Sequence, residues 1–316
     1  MASPNDIMLM TCAAGNQAPY ILPLLKDKIK LRLACQSDAS AKLLKSRYPH
    51  AEVVQGDMRV LADCARMLSG VTTVYNIGPG IRVGEKEMGL NMVEAAIAEY
   101  QKPNSQFKHF VEASVLNTQI RKMFNHDDKR YVEEQLILSP LRYTILQPGD
   151  FFEAAVPVKQ WLTMEHPVRP TYVPEETWSS FVALKDLGEA AAKVILERER
   201  HYEALYPLVS LNGNTYGECT TRIGEILGKK IEVKEVSWDE AIQVLLEVNF
   251  GSDQVHSVIY DKMAALVSFY RKRGIKGNPT VLEWLLERDA TSLEGYVAYK
   301  KDELRAEGAV LPSWWS

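Results

Sequence analysis

Apolar and polar positions follow two alternating rhythms over the first half of the chain. Short apolar or period-two runs predict strands in the run from Ile7, at Ile29–Cys35, Glu52–Asp57, Thr72–Ile77, Phe107–Ser114 and Tyr143–Leu146. Stretches with a helical period lie between them, at Pro19–Leu25, Asp38–Arg47, Arg59–Ser69, Glu85–Tyr100 and Asp128–Leu138. In Arg59–Ser69 the apolar face is Leu61, Cys64 and Leu68. In Glu85–Tyr100 it is Met88, Met92, Ala95 and Ala96. The spacings are too long for hairpins, so the strands are expected to form a parallel sheet covered on both faces. Ligands of such sheets sit at the carboxyl ends of the strands, so the residues after each strand are the ones to inspect.

Beyond Gly149 the rhythm loosens. Trp161–Ser179 is rich in proline and aromatics and reads as irregular. Helices are expected from an Asp186 N-cap to about Glu199, at Thr215–Leu227 with Gly228 as its stop, and at Trp238–Glu247, His256–Arg273, Thr280–Leu286 and Ser292–Leu304. Strands are expected at Tyr206–Leu211 and Ile231–Val236. The expected organisation is a core over residues 1–150 and a smaller α/β lobe over 151–316, some of whose segments return to the core.

Composition narrows the function classes. A net charge of −4 excludes the basic field of a nucleic-acid binder. The four cysteines, Cys12, Cys35, Cys64 and Cys219, have neither metal nor disulfide spacing, so no metal is expected. The N-terminus has no signal-peptide order, and no apolar run reaches the ~18 residues of a membrane span. The expectation is a cytoplasmic protein with a small-molecule substrate, without nucleic-acid or membrane partners; a homo-oligomer stays open.

Strand, small-residue turn and helix succeed one another at the start of the chain, in Thr11-Cys-Ala-Ala-Gly-Asn-Gln-Ala18. Glycines in such a turn let backbone N–H groups approach a pyrophosphate. Only the middle one, Gly15, is present. Cys12 is accommodated if its backbone stays in the β region; its thiol reads either as a small buried substitute for glycine or as a helix-terminal thiol with lowered pKa.

The chain resembles the NmrA-like family of atypical short-chain dehydrogenase/reductases. The stretches that carry the resemblance are Thr11–Ala18, Gln55-Gly-Asp57, Phe107–Ser114, Lys129-Arg-Tyr-Val-Glu-Glu134, Tyr143–Glu153 and Val182–Gly188. Asn278–Leu286 is similar to the C-terminal segment of fungal secondary-metabolism members. The resemblance implies a Rossmann-like doubly wound parallel sheet, a substrate lobe and NADP(H), with NAD(H) or no cofactor as alternatives.

It also implies cofactor contacts from Thr11, Cys12, Ala14, Gly15, Asn16, Gln17, Gln36, Ser37, Asp57, Met58, Asn76, Gly78, Lys129, Pro148 and Phe151. Asp57 matches the aspartate beside the adenine. Gln36 stands where the family places the arginine that pairs with a 2′-phosphate; Lys42 is a compensating cation from the next helix. The Tyr-x-x-x-Lys pair of common dehydrogenases is missing, since Tyr131 is followed four residues later by Gln135. Lys129, Ser114 and Tyr131 are then the catalytic candidates. His126-Asp127-Asp128 reads as a polar loop and helix cap. Pro79, Phe152, Trp161, Tyr172 and Trp178 are the candidate substrate lining. The expected activity is NAD(P)H-dependent reduction of a carbonyl, imine or activated alkene on a small apolar metabolite. A non-redox cyclase or isomerase, and a nucleotide-sensing regulator, are the alternatives.

Overall fold

The computed structural model describes residues 1–307. Strands and helices alternate up to Pro148 as β1 (Ile7–Met10), α1 (Ala18–Leu25), β2 (Lys30–Cys35), α2 (Asp38–Arg47), β3 (Glu52–Gln55), α3 (Leu61–Leu68), β4 (Thr73–Ile77), α4 (Glu85–Tyr100), β5 (His109–Ala113), α5 (Phe124–Ile137) and β6 (Tyr143–Pro148). The chain continues through β7 (Asp150–Phe151), α6 (Phe152–Ala155), α7 (Val158–Thr163), β8 (Val168–Thr171), β9 (Trp178–Val182), α8 (Leu184–Glu197), β10 (Ala204–Leu208) and β11 (Leu211–Thr215). It ends with α9 (Tyr216–Leu227), β12 (Glu232–Glu235), α10 (Trp238–Phe250), α11 (Ser257–Tyr270), α12 (Thr280–Leu286) and α13 (Leu293–Ala306). Two compact units divide these elements: Met1–Pro148 with Leu187–Pro207, and Gly149–Asp186 with the chain from Leu208 onward.

The first unit is built on a seven-stranded sheet in the order β10-β6-β5-β4-β1-β2-β3. Its first six strands pair in parallel, with Met8 opposite both Leu31 and Thr73, and Val111 opposite both Tyr75 and Thr144. Leu9, Val74, Phe110 and Ile145 are fully buried on one face, against Met92, Val93 and Ala96 of α4 and Leu136 of α5. The strand order reverses between β1 and β4, and that reversal opens a crevice at the carboxyl ends of the strands. The pattern of buried runs thus produced the Rossmann-like, doubly wound arrangement.

The second unit holds a three-stranded sheet, β11-β9-β7, and a β12-β8 pair. Thr215 and Ser237 cap α9 and α10 through reciprocal bonds with Glu218 and Glu240. Gly228 (φ 63°) and Gly251 (φ 68°) close those helices in the left-handed region. Phe152 stacks on Phe181 and Tyr296, with ring centroids 5.2 and 4.9 Å away.

Four expectations change. The Trp161–Ser179 stretch is not irregular: it carries the end of α7, all of β8 and the start of β9. Those strands are made by pairing with β12 and β11, far along the chain, so local sequence carries little sign of them. Helix α5 begins at Phe124, so His126-Asp127-Asp128 lies within its first turns and not in a loop. The single strand expected at Tyr206–Leu211 is two, β10 and β11. Asp186 is no N-cap: it lies inside α8, fully buried, and accepts from Ser210 Oγ (2.7 Å), Arg288 Nη2 (2.8 Å), the Thr291 amide (2.8 Å) and Thr291 Oγ1 (2.7 Å).

Candidate functional site

Thr11 closes β1 and ties it to β4. Its Oγ1 accepts from the Ile77 amide (2.6 Å) and donates to the Ile77 carbonyl (3.0 Å). The turn beyond it folds on itself: the Ala13 amide donates to Ala34 and the Gly15 amide to the Cys12 carbonyl (2.9 Å). A Cβ on Gly15 would lie 3.1 Å from that same carbonyl, so glycine permits the tight closure. Ala14, Gly15 and Asn16 are exposed at the tip, and α1 follows; Pro19 has no amide proton and the Tyr20 amide donates to the Gln17 carbonyl (3.1 Å). An exposed, nearly side-chain-free turn leading into a helix N-terminus fits a pyrophosphate. Gln17 Oε1 accepts from the Tyr75 hydroxyl (2.7 Å).

Cys12 does not keep a β conformation. Its φ is 46°, the left-handed region that disfavours any side chain. Nor is its thiol activated: burial pushes its pKa up to about 11, although the positive charge of Lys129 opposes this. It is a half-buried substitute for glycine, packed against the core.

Behind the turn lies a charged cluster. Lys129, on α5, is nearly buried, and its Nζ lies 3.5 Å from Glu85 Oε1 and donates to the Ala113 carbonyl (3.4 Å) at the end of β5. Burial alone would lower its pKa; Glu85, Glu112 and the Cys12 group outweigh that and hold the ammonium charged. Gly78, just after β4, leaves room for this cation, since a Cβ there would meet Lys129 Nζ at 2.8 Å. Glu85 is buried at the start of α4, and its Oε2 accepts from the Ile81 amide (2.7 Å). Glu112, on β5, is buried directly opposite Asn76 and accepts from Asn76 Nδ2 (2.7 Å). Burial raises its carboxyl to about 7 despite Lys129 and Asn76, which favour the ionised form.

Ser114 sits at the end of β5, and its hydroxyl donates to the buried Glu133. Glu133 also accepts from Thr118 Oγ1 (2.8 Å) and Gln147 Nε2 (2.9 Å). Lys129 and Glu133 are one helical turn apart, so α5 presents an ammonium and a carboxylate on one face.

At the ends of β2 and β3, Asp57 forms an ion pair with Arg59 (2.6 Å) and accepts from Gln36 Nε2 (3.1 Å). The bond with Arg59 is the main reason that its pKa falls to about 2. Ser37 caps α2 by accepting from the Ser40 amide. Met58 is buried, and its carbonyl accepts from Asn91.

Several sequence-derived site residues fall elsewhere. Asn76 is fully buried and its side chain is committed to Thr11 and Glu112, so it supports the site from beneath. Tyr131 is exposed, about 200° around α5 from Lys129, with Arg130 and Lys86 over its ring; it does not join the cluster. Phe152 and Trp161 are core residues, 0% and 1% exposed. Trp178 is exposed, under the Lys276 ammonium, and Tyr172 is half-buried. Pro79 is half-buried after β4, and Pro148 is buried at the end of β6. Phe151 is half-buried on β7.

Glu85, Glu112, Glu133 and Arg59 were not anticipated. The Lys129/Glu133 spacing was readable in the sequence. Glu112, in the run Phe-Val-Glu-Ala, passes for an outward-facing strand residue until both sheet faces are known to be covered. Among the described residues no group of three or more His, Cys, Asp or Glu is placed to hold a metal ion, and no helix is long and apolar enough to cross a membrane.

A family model described as NAD(P)H-binding matches residues 13–196, more than half of the chain. No curated protein matches it. Among solved structures, Citrobacter sp. triphenylmethane reductase complexed with NADP(H) is similar at 20% identity and a TM-score of 0.74, over 92% of this chain and 99% of that one. The NADPH-dependent quinone oxidoreductase QOR2 of Escherichia coli, complexed with NADPH, is similar at 20% identity and a TM-score of 0.72, over 93% and 99%. NmrA, a negative transcriptional regulator in complex with NAD, is similar at 12% identity and a TM-score of 0.73, over 98% and 99%. The chain therefore belongs to the NAD(P)H-binding family and has a fold like that of NmrA.

Proposed function

We propose that this protein is an NADP(H)-dependent reductase acting on a carbonyl, imine or activated alkene of a small apolar metabolite, in the manner of secondary-metabolite tailoring. The observation that carries the reading is the nearly buried Lys129 Nζ, 3.5 Å from Glu85 Oε1 and 3.4 Å from the Ala113 carbonyl at the end of β5. Two proteins of like fold, QOR2 and triphenylmethane reductase, are reductases crystallised with NADPH or NADP(H), which supports the same coenzyme here.

In this reading the Thr11–Ala18 turn holds the pyrophosphate through its amides, Asp57 lies beside the adenine, and Gly78 and Pro148 flank the nicotinamide. The coenzyme, when bound, supplies the hydride. Lys129 Nζ orients the ribose or a substrate oxygen, and its positive charge suits an atom on which negative charge develops. Ser114, whose proton is committed to Glu133, offers its oxygen as an acceptor and fixes the end of β5.

A second reading, a nucleotide-sensing regulator, is favoured by the same Ser114–Glu133 bond together with the outward Tyr131. These leave Lys129 as the one proton donor among the three catalytic candidates. NADPH consumption over a panel of quinones, triphenylmethane dyes and imines separates the readings. Turnover that falls by about 100-fold or more in Lys129→Ala, with native circular dichroism, supports the reductase. Coenzyme binding without turnover across the panel supports the regulator or a non-redox cyclase or isomerase. An unchanged rate in Lys129→Ala removes Lys129 from the site.

A further inference from the structure

The end of β2 carries neither acid nor arginine. In dinucleotide folds an acidic residue there takes the ribose 2′-OH, or an arginine nearby takes a 2′-phosphate. The residue in that place, Gln36, has no charge. The structure brings a guanidinium to the position from the next strand instead. Arg59, four residues past the end of β3, grips Asp57 with Nη2 to Oδ2 (2.6 Å) and Nε to both oxygens (3.0 Å each). Its own amide donates to Asp57 Oδ1 (2.9 Å), so the carboxylate closes a local turn that fixes the arginine. Gln36 Nε2 donates to the same Asp57 Oδ2 (3.1 Å). One carboxylate oxygen therefore joins Arg59 to the end of β2.

Arg59 has five N–H donors and spends those of Nε and one on Nη2 on this grip. Nη1 has no hydrogen-bond partner among the described residues, and the side chain is 60% exposed. The remaining acid at the start of α2, Asp38, accepts from Gln55 Nε2 (2.8 Å) and not from Arg59.

We infer that Arg59, held by Asp57 and aligned by Gln36, recognises the adenosine 2′-phosphate and selects NADP(H) over NAD(H). The inference rests on the proposed coenzyme-binding reading and adds the residue that sets the choice. A guanidinium clamped on one edge by a carboxylate keeps its other edge for a phosphate. It offers paired, charge-assisted N–H donors that an amide side chain lacks. Asp57 then has two tasks, beside the adenine and behind the arginine.

The test is the dissociation constant of NADPH and of NADH, by nicotinamide fluorescence, for the wild-type chain, Arg59→Ala and Arg59→Lys. The wild type is expected to bind NADPH at least about 10-fold more tightly than NADH, and increasing salt should reduce that preference. Arg59→Ala should weaken NADPH by about 10- to 100-fold and leave NADH within about two-fold of the wild type. Arg59→Lys should recover part of the loss, because the charge returns without the fork. Equal weakening of both nucleotides, or a preference that survives Arg59→Ala, overturns the assignment while the coenzyme reading stands. A wild type that binds neither nucleotide overturns the coenzyme reading, and the assignment with it.

Discussion

Replacing Glu112 by glutamine removes a buried acid whose ionisation the fold resists. Glu112 is 1% exposed on the central strand β5. Burial raises its carboxyl from 4.5 to about 7 against the opposing pull of Lys129 and Asn76. A displacement of that size is worth about 3 kcal/mol of stability. The folded value lies above the unfolded one, so the folded chain binds the extra proton. The stabilisation is complete below pH 4.5 and is lost as the pH rises through about 7. Glutamine keeps an oxygen for Asn76 Nδ2 and has no charge to desolvate. Between about pH 5 and about pH 8, the wild type should lose about 2–3 kcal/mol relative to Glu112→Gln. Urea unfolding at both pH values, followed by far-UV circular dichroism, measures this; the comparison cancels the titrating groups that Glu112 does not influence. Parallel pH dependence in the two proteins, or a relative loss by the variant at high pH, would refute the reasoning.

Three further substitutions probe the scaffold around the same strand ends. Gly78→Ala places a Cβ 2.8 Å from Lys129 Nζ. The ammonium is the end free to move, so the melting temperature should hold while coenzyme affinity falls by about 10-fold. Cys12→Gly removes about 1 kcal/mol of left-handed strain and forfeits a similar amount of side-chain packing. Stability should stay near the wild-type value and coenzyme binding should be equal or tighter by titration; clear weakening would give the thiol a positive role. Gly89→Ala drives a Cβ to 2.4 Å from Val132 Cγ2, where α4 meets α5. Overpacking there should cost about 1–3 kcal/mol in urea unfolding.

The sequence carried the first unit well because its elements are long and punctuated locally. Asp38–Arg47 has Ser37 as a working cap, and Glu85–Tyr100 follows Gly84 at φ 78°. Both helices have the bounds that their periodicity implied. Helix α5 begins four residues before its periodicity implies, and no side chain caps its start. Its first turn is held instead by His126 Nδ1, which donates to the Asn117 carbonyl (3.3 Å). The second unit was less legible because β8 and β9 exist only through distant partners, and dense aromatics such as Phe152 and Trp161 serve the core. Within the site, the turn and Lys129 were readable from strand-end position. The carboxylates were not: Glu85, Glu112 and Glu133 gain their meaning from burial and from what they face, neither of which is a local property. Tyr131 failed for a simple geometric reason, since two residues along a helix is the opposite side.

The central claim is that the strand ends of the first unit hold a nicotinamide dinucleotide for reduction. Calorimetric titration of the purified chain with NADPH tests it most directly. Saturable binding of one NADPH per chain, with NADP⁺ competing for the same site, is the expected result. No measurable heat or fluorescence change with either NADPH or NADH would contradict it.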